Sequence, residues 1–205
     1  RKMNDKGLLF VVSAPAGCGK DTILEQVLQK TDSAGYSVSA TTRAPRDGGI
    51  DGVHYRFLTR ERFEEMIKEG AVLEYTEYCG NYYGTLRESV ESLLSRGKDA
   101  VLKIEIEGAM NIKKQFPDCC LVFILPPSMA ELERRLRKRG TETEEKIAER
   151  LTQARNELAA AENYDYLIVN GELDKAVDDI TAVMRAEKLL RVRNAGLAAE
   201  IKGEA

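Results

Sequence analysis

The sequence predicts an α/β chain, a mostly parallel sheet covered by helices, from three observations. Strand and helix periods alternate along the 205 residues, as they do when crossover helices join parallel strands. Residues 8–12, LLFVV, are apolar on both faces and rich in β-branched side chains, which suits a strand buried from both sides. That strand runs into a Gly-rich turn with a lysine, GCGK at 17–20, and a helical pattern follows.

The elements can be read in order from the same signals. After the strand at 8–12, residues 22–30 read as a helix and 36–42 as extended chain. A polar loop at 43–52 contains Pro45 and three glycines. Strands are expected at 53–58 and 71–78, around a helix at 60–68. Residues 80–85 read as a turn and 86–95 as a short helix. The apolar strands 100–106 and 121–125 flank a helix near 109–115, and Pro126-Pro127 end the second strand. Ser128 with Glu131 is a capping-box signature for a helix running to about Lys138, with Leu132 and Leu136 one turn apart. Gly140 breaks that helix. The next places Ile147, Leu151, Ala154, Leu158 and Ala161 on one face at spacings of four and three. A last strand is expected at 166–169 and a last helix from Leu173 to about Arg193, while 195–205 carry little pattern and are expected to fray. There is no internal repeat and no linker long enough to separate independent domains.

Composition narrows the function classes. Hydrophobic content of 43% with 32% charged residues describes a globular chain with one substantial core. No run approaches the ~18–20 apolar residues of a membrane span. A net charge of −3 argues against a general nucleic-acid binder. Cys18, Cys79, Cys119 and Cys120 show no metal spacing and His54 is the single histidine, so neither a zinc site nor a disulfide framework is expected and a reducing cytoplasm is the default. A lipoprotein signal, suggested by Arg1, Lys2 and Ala16-Gly17-Cys18, is set aside because its apolar core is too short.

The turn after the first strand is nearly a phosphate-binding loop. The pattern G-x-x-x-x-G-K-[ST] falls on Ala14, Gly19, Lys20 and Asp21, of which Gly19 and Lys20 match. Gly17 and Gly19 allow consecutive N–H groups to face one anion, the following helix offers its positive end, and Lys20 adds a full charge. A structural turn is the competing reading, and the lysine directly after a buried strand favours phosphate.

Two further basic groups stand out. Arg43 and Arg46 flank Pro45 and can converge on one phosphate or carboxylate; a solvated loop is an equally good account of that pair taken alone. Arg135 and Arg139 lie one helical turn apart, with Arg150 on the next helix and Gly140 as a hinge between. From spacing alone, a solvated basic face explains them better. The combination decides differently: one loop for donor phosphates, a second anion site and cations between them match phosphoryl transfer to a phosphorylated acceptor.

These stretches resemble the guanylate kinase family over nearly the whole chain, through SVSATTRAPR (37–46), DGVHYRF (51–57), GNYYGT (80–85), RGTETEE (139–145) and YLIVN (166–170). The resemblance implies a P-loop NTPase-type three-layer fold in a single domain. Its core would be 1–35, 93–125 and 161–205, its nucleoside-monophosphate lobe about 36–92, and its helical lid about 126–160. It implies transfer of the ATP γ-phosphoryl group to GMP, and to dGMP, with Mg²⁺ as cofactor. The partners would be ATP and GMP, with neither nucleic acid nor membrane.

By resemblance Ala14, Pro15, Ala16, Gly17, Cys18, Gly19, Lys20, Asp21 and Thr22 would hold the ATP phosphates, and Asn170 would meet the ATP base. Arg43, Arg46, Tyr55 and Tyr83 would bind the GMP phosphate. Ser39, Glu74, Thr85 and Glu105 would read guanine, whose N1–H and exocyclic amine suit the carboxylate of Glu74. Lys20, Arg135, Arg139 and Arg150 would be catalytic, and Asp21 the metal ligand.

Four positions depart from the family pattern: Ala14 for glycine, Gly49 for glutamate, Asp21 for Ser or Thr, and Lys103 for an acidic residue. Ala14 fits if its φ is negative. Asp21 and Lys103 are expected to compensate each other, Asp21 either ligating Mg²⁺ or pairing with Lys103. A catalytically silent module that binds a phosphorylated peptide is the alternative class, and Lys20 with the lid arginines argues against it. A kinase for another phosphorylated small molecule is the rival within enzymes, and Ser39 with Glu74 points to guanine.

Overall fold

The computed structural model describes residues 6–45, 48–138, 140 and 143–203. Its centre is β1 (Leu9–Ser13), buried at all five positions. Four strands join it: β2 (Ala34–Tyr36), β7 (Asp99–Lys103), β8 (Cys120–Leu125) and β9 (Tyr166–Val169). The sheet order is β2-β7-β1-β8-β9 and every pair is parallel. Because all five strands point one way, their C-terminal ends share one edge, where open α/β sheets bind ligands.

Alternation along the strands sends side chains to two cores. Phe10 and Val12 pack on one face with Ile23, Leu24 and Val27 of α1 (Lys20–Lys30) and Val177, Ile180 and Met184 of α7 (Leu173–Leu189). Leu9 and Val11 pack on the other with Val90 of α3 (Arg87–Ser95) and Ala109 and Ile112 of α4 (Ile106–Gln115). This is the three-layer arrangement that the sequence predicts. The face with α1 also receives Leu132 and Leu136 of α5 (Met129–Lys138) and Ile147, Leu151 and Ala154 of α6 (Glu144–Leu158).

A second sheet has the order β4-β3-β6-β5, formed by β3 (Ala40–Thr41), β4 (Arg56–Phe57), β5 (Val72–Tyr78) and β6 (Asn81–Leu86). Its small core, Ala40, Phe63 and Leu86, is closed by α2 (Arg60–Lys68). Phe63 stacks on Tyr82 with ring centroids 5.2 Å apart.

Several element boundaries differ from the sequence reading. The turn expected at 80–85 is the strand β6, because two residues suffice to turn the chain: Cys79 (φ 49°) and Gly80 (φ 75°) close a tight hairpin with Tyr78 opposite Asn81. The extended run 36–42 is broken, since Tyr36 pairs with Val101 of β7 whereas Ala40 and Thr41 belong to the second sheet. Of 53–58 only Arg56 and Phe57 pair as a strand. The strand expected to reach residue 106 stops at Lys103, because Glu105 is already the N-cap position of α4. The last long helix ends at Leu189, where the Asn194 amide donates to the carbonyls of Lys188 and Leu190. The tail is helical over α8 (Leu197–Lys202) and is closed by Gly203 at φ 78°. The capping box is half formed: Ser128 Oγ accepts from Glu131 N at 3.1 Å, but the Glu131 carboxylate faces arginines.

Candidate active site

The loop after β1 is held in a tight curve. Ser13 Oγ donates to the Ile104 carbonyl at 2.8 Å, fixing the end of β1 to the end of β7. Cys18 N donates to Pro15 O at 3.2 Å, and Gly17 and Gly19 take φ of 90° and 82°. Cys79 is the one non-glycine residue with positive φ among the described residues, so Ala14 meets the condition under which it replaces glycine without strain. Pro15 and Cys18 are buried, whereas Ala16 at the tip and Thr22 in the first turn of α1 are exposed. Burial pushes the Cys18 thiol up to about 11, which leaves it un-ionised and unreactive.

Asn170, just past β9, links this loop to α5. Its Nδ2 donates to Cys18 O at 2.7 Å, and its own carbonyl accepts from Arg135 Nη2 at 2.9 Å. Arg135 Nε also donates to Glu131 Oε1 at 2.8 Å. Arg134 first and Arg135 second hold the Glu131 carboxyl down at about 2, so its charge persists across any working pH. A cleft of about 390 Å³ is lined by Gly17, Gly19, Arg135 and Lys138. Arg150 lies on α6 between the core positions Ile147 and Leu151. Arg139 lies outside the described residues, as does Arg46.

Two ion pairs join the loop to the end of β7. Lys20 Nζ lies 3.6 Å from Glu105 Oε1. Lys103 Nζ donates to Asp21 Oδ1 at 2.5 Å, so the expected pairing of the two exchanged charges is present. Burial opposes the Lys103 charge, but Asp21 and Tyr36 more than offset it, and the Lys103 pKa lies above the ordinary lysine value.

In the second sheet Glu74 and Thr85 sit opposite each other on β5 and β6. The Glu74 side chain is buried, takes the Thr85 hydroxyl at 2.5 Å, and has its pKa raised by that burial. Gly108 in the first turn of α4 comes so close that a Cβ there would lie 2.7 Å from Glu74 Oε2. Nearby in the lobe, Tyr55 and Tyr83 meet edge to face at 6.0 Å, and the Arg43 guanidinium lies 5.8 Å from the Tyr55 ring centre. Ser39 gives its carbonyl to Arg56 N at 2.9 Å.

The predicted residues thus fall into local groups: Lys20 with Glu105, Asp21 with Lys103, Asn170 with Cys18 and Arg135, Glu74 with Thr85, and Arg43 with Tyr55 and Tyr83. Gly108, Glu131 and Lys138 were missed. An isolated glycine inside a helical pattern was the available signal for Gly108; Glu131 was read only as a capping-box residue, and Lys138 looks like an ordinary helix-surface charge.

Guanylate kinase is the family whose model matches this chain, over residues 6–187. The chain belongs to the guanylate kinase family. It is 48% identical over 182 residues to a guanylate kinase of Desulfitobacterium hafniense, covering 89% of this chain and 91% of the relative. It is 50% identical over 184 residues to one of Carboxydothermus hydrogenoformans, covering 90% of each. The crystal structure of guanylate kinase from Anaplasma phagocytophilum superposes with a TM-score of 0.76 at 32% identity, covering 98% of this chain and 97% of that one. The guanylate kinase fold is therefore shared over nearly the whole chain.

Proposed function

We propose that this member of the family transfers the γ-phosphoryl group of ATP to GMP, giving ADP and GDP. The observation that carries the acceptor is Glu74. A buried carboxylate whose described hydrogen-bond partner is the Thr85 hydroxyl has acceptor capacity left for the N1–H and the exocyclic amine of guanine. Adenine presents no such donor pair on that edge, and leaving a buried carboxylate unpaired is costly enough to reject it.

In this reading the backbone N–H groups from Ala14 to Thr22 and the N-terminus of α1 cradle the donor phosphates, with Lys20 on the outer ones. Asn170 acts from behind that loop, beside the ATP base. Arg43, Arg46, Tyr55 and Tyr83 bind the acceptor phosphate, and Ser39, Thr85 and Glu105 join Glu74 around guanine. The acceptor phosphate oxygen attacks the γ-phosphorus in line while the bond to the ADP oxygen breaks. The protein supplies alignment and positive charge, from Lys20, Arg135, Arg139 and Arg150. Closure of about 126–160 over core segments 1–35, 93–125 and 161–205 excludes water, with about 36–92 carrying GMP. Gly140, between α5 and α6, would be the hinge of that movement.

The donor set suits Mg²⁺. Mg²⁺ commonly takes one or two carboxylates, substrate phosphates and waters, and Asp21 Oδ2 has no hydrogen bond among the described residues. Asp21 would hold the ion, which supplies charge neutralisation across the donor phosphates. No helix among the described residues is long and apolar enough to cross a membrane, and we place the reaction in the cytoplasm.

A coupled assay of ADP formation tests the proposal. GMP and dGMP should support turnover, and AMP and UMP should not. ADP formation that ignores every acceptor would overturn it.

A further inference from the structure

A phosphate loop normally ends in Ser or Thr, whose hydroxyl meets Mg²⁺, while an acidic residue at a neighbouring strand end completes the seat. In this chain both places depart from that pattern. Asp21 stands where the hydroxyl belongs. Lys103 closes β7, which runs beside β1 with Val12 opposite Lys103. Their side chains meet at 2.5 Å. The usual hydroxyl and carboxylate sum to a charge of −1, whereas Asp21 and Lys103 sum to zero. The seat beside the donor phosphates is therefore one unit more positive than the usual pattern, and its cation is part of the protein.

We infer that Lys103 is a built-in counter-cation of the ATP site, which lets the chain bind ATP with a much weakened dependence on Mg²⁺. The inference rests on the reading of residues 14–22 as the ATP phosphate site. The ammonium has two roles. It neutralises Asp21, a carboxylate that would otherwise repel the phosphates from the first turn of α1. It also lends its own field to the phosphate oxygens, because it is fixed at the mouth of the loop by Asp21 and by Tyr36, whose ring centre lies 5.6 Å away. Mg²⁺ then adds to a seat already balanced, instead of being required to balance it.

The size of the effect follows from Coulomb's law. A unit charge ~4 Å from a phosphate oxygen is worth about fivefold in affinity at the dielectric of bulk water and about a thousandfold at an effective dielectric of 20. Side-chain exposures of 34% for Lys103 and 70% for Asp21 place this pair toward the solvated end, so a change of about tenfold is expected.

Calorimetry of ATP binding without GMP, once in EDTA and once in excess Mg²⁺, measures the ratio of the two dissociation constants. The ratio should be small in the wild type. Lys103→Met exposes the Asp21 charge and should raise the ratio about tenfold, through weaker binding in EDTA. Asp21→Ser with Lys103→Asp restores the usual pattern and should raise it as well. Asp21→Ser alone leaves the ammonium unopposed and should lower it. Thermal melts identify any variant that fails to fold, and the oppositely directed changes keep the test independent of general damage. Ratios equal within twofold across folded variants would overturn the inference while leaving the ATP site intact. A wild type that binds no ATP in either condition would overturn the phosphate-site reading itself, and this inference with it.

Discussion

The side-chain amide of Asn170 donates to the carbonyl of Cys18 at 2.7 Å, across 152 positions of sequence. That contact ties the end of β9 to the middle of the phosphate loop. It also explains why Gly19 has no alternative, since a Cβ there would lie 2.6 Å from Asn170 Nδ2. The Asn170 backbone carbonyl holds Arg135 at the same time, so one residue sets the loop and an arginine proposed as catalytic together. Asn170→Ala removes the amide and leaves the Cys18 carbonyl short of a donor, at a cost of about 1–3 kcal/mol. KM for ATP should rise about fivefold or more with KM for GMP unchanged, which steady-state kinetics with each substrate varied in turn will read. Asn170→Asp should be worse, because it sets an oxygen against an oxygen.

Gly108 offers a sharper test of guanine recognition. An added methyl would lie 2.7 Å from Glu74 Oε2 and 3.2 Å from its carboxyl carbon, so the flexible carboxylate must give way. Alanine is favoured over glycine within a helix by about 1 kcal/mol, so α4 gains while the guanine contact is lost. Gly108→Ala should hold or raise the melting temperature yet raise KM for GMP about tenfold. Gly84→Ala would differ, because its methyl meets the backbone carbonyl of Glu74 at 2.6 Å. That variant should lose stability first.

The parts of this architecture legible in the sequence were those written in local periodicity. β9 and α2 occupy the residues expected of them, because a short apolar run and an amphipathic turn pattern each specify themselves. β6 was not legible. Gly80 and Gly84 look like turn residues, yet Gly84 sits in a strand, where Glu74 and Tyr75 of β5 and Phe63 of α2 leave no room for a side chain. The Asp21–Lys103 pair was legible as two unusual charges, since the end of a strand beside β1 must lie near the loop. The Asn170–Cys18 bond was not, because nothing local to Asn170 says where its amide turns. The close approach of Gly108 to Glu74 is likewise tertiary and has no local signature beyond a glycine in a helix.

The burial of Glu74 makes a pH dependence. Its pKa is raised by desolvation, against the pull of Thr85, and in the proposed guanine site it must be ionised to accept two donors. KM for GMP should therefore climb as pH falls, beginning above the ordinary carboxylate range. The GMP phosphate titrates near pH 6 as well, so Glu74→Gln serves as the control: whatever dependence it keeps belongs to the phosphate. Stability runs the opposite way. A carboxyl whose folded pKa is raised is penalised when charged, and that penalty is full above the folded pKa and absent below the unfolded one. Glu74→Gln should thus melt higher than the wild type at pH 8, with the gap closing as pH is lowered. A gap that stays constant with pH would separate the stability effect from ionisation.

Leu136 carries the phosphate loop from below, and its removal can be told apart from damage to the loop itself. It is 1% exposed. A methyl on Gly17 would lie 2.9 Å from its Cδ2 and 3.1 Å from Leu132 Cδ1. Leu136→Ala should cost about 2–5 kcal/mol of stability and raise KM for ATP, since the loop loses the surface on which it rests. Gly17→Ala meets two penalties, the contact with Leu136 and a backbone held at φ 90°, the second worth about 1–2 kcal/mol by itself. In the double variant the contact disappears while the backbone strain persists. Denaturant melts of the four proteins should therefore show the double variant more stable than the sum of the single losses, by the part of the Gly17→Ala penalty that Leu136 imposes. Strict additivity would mean that α5 does not support the loop.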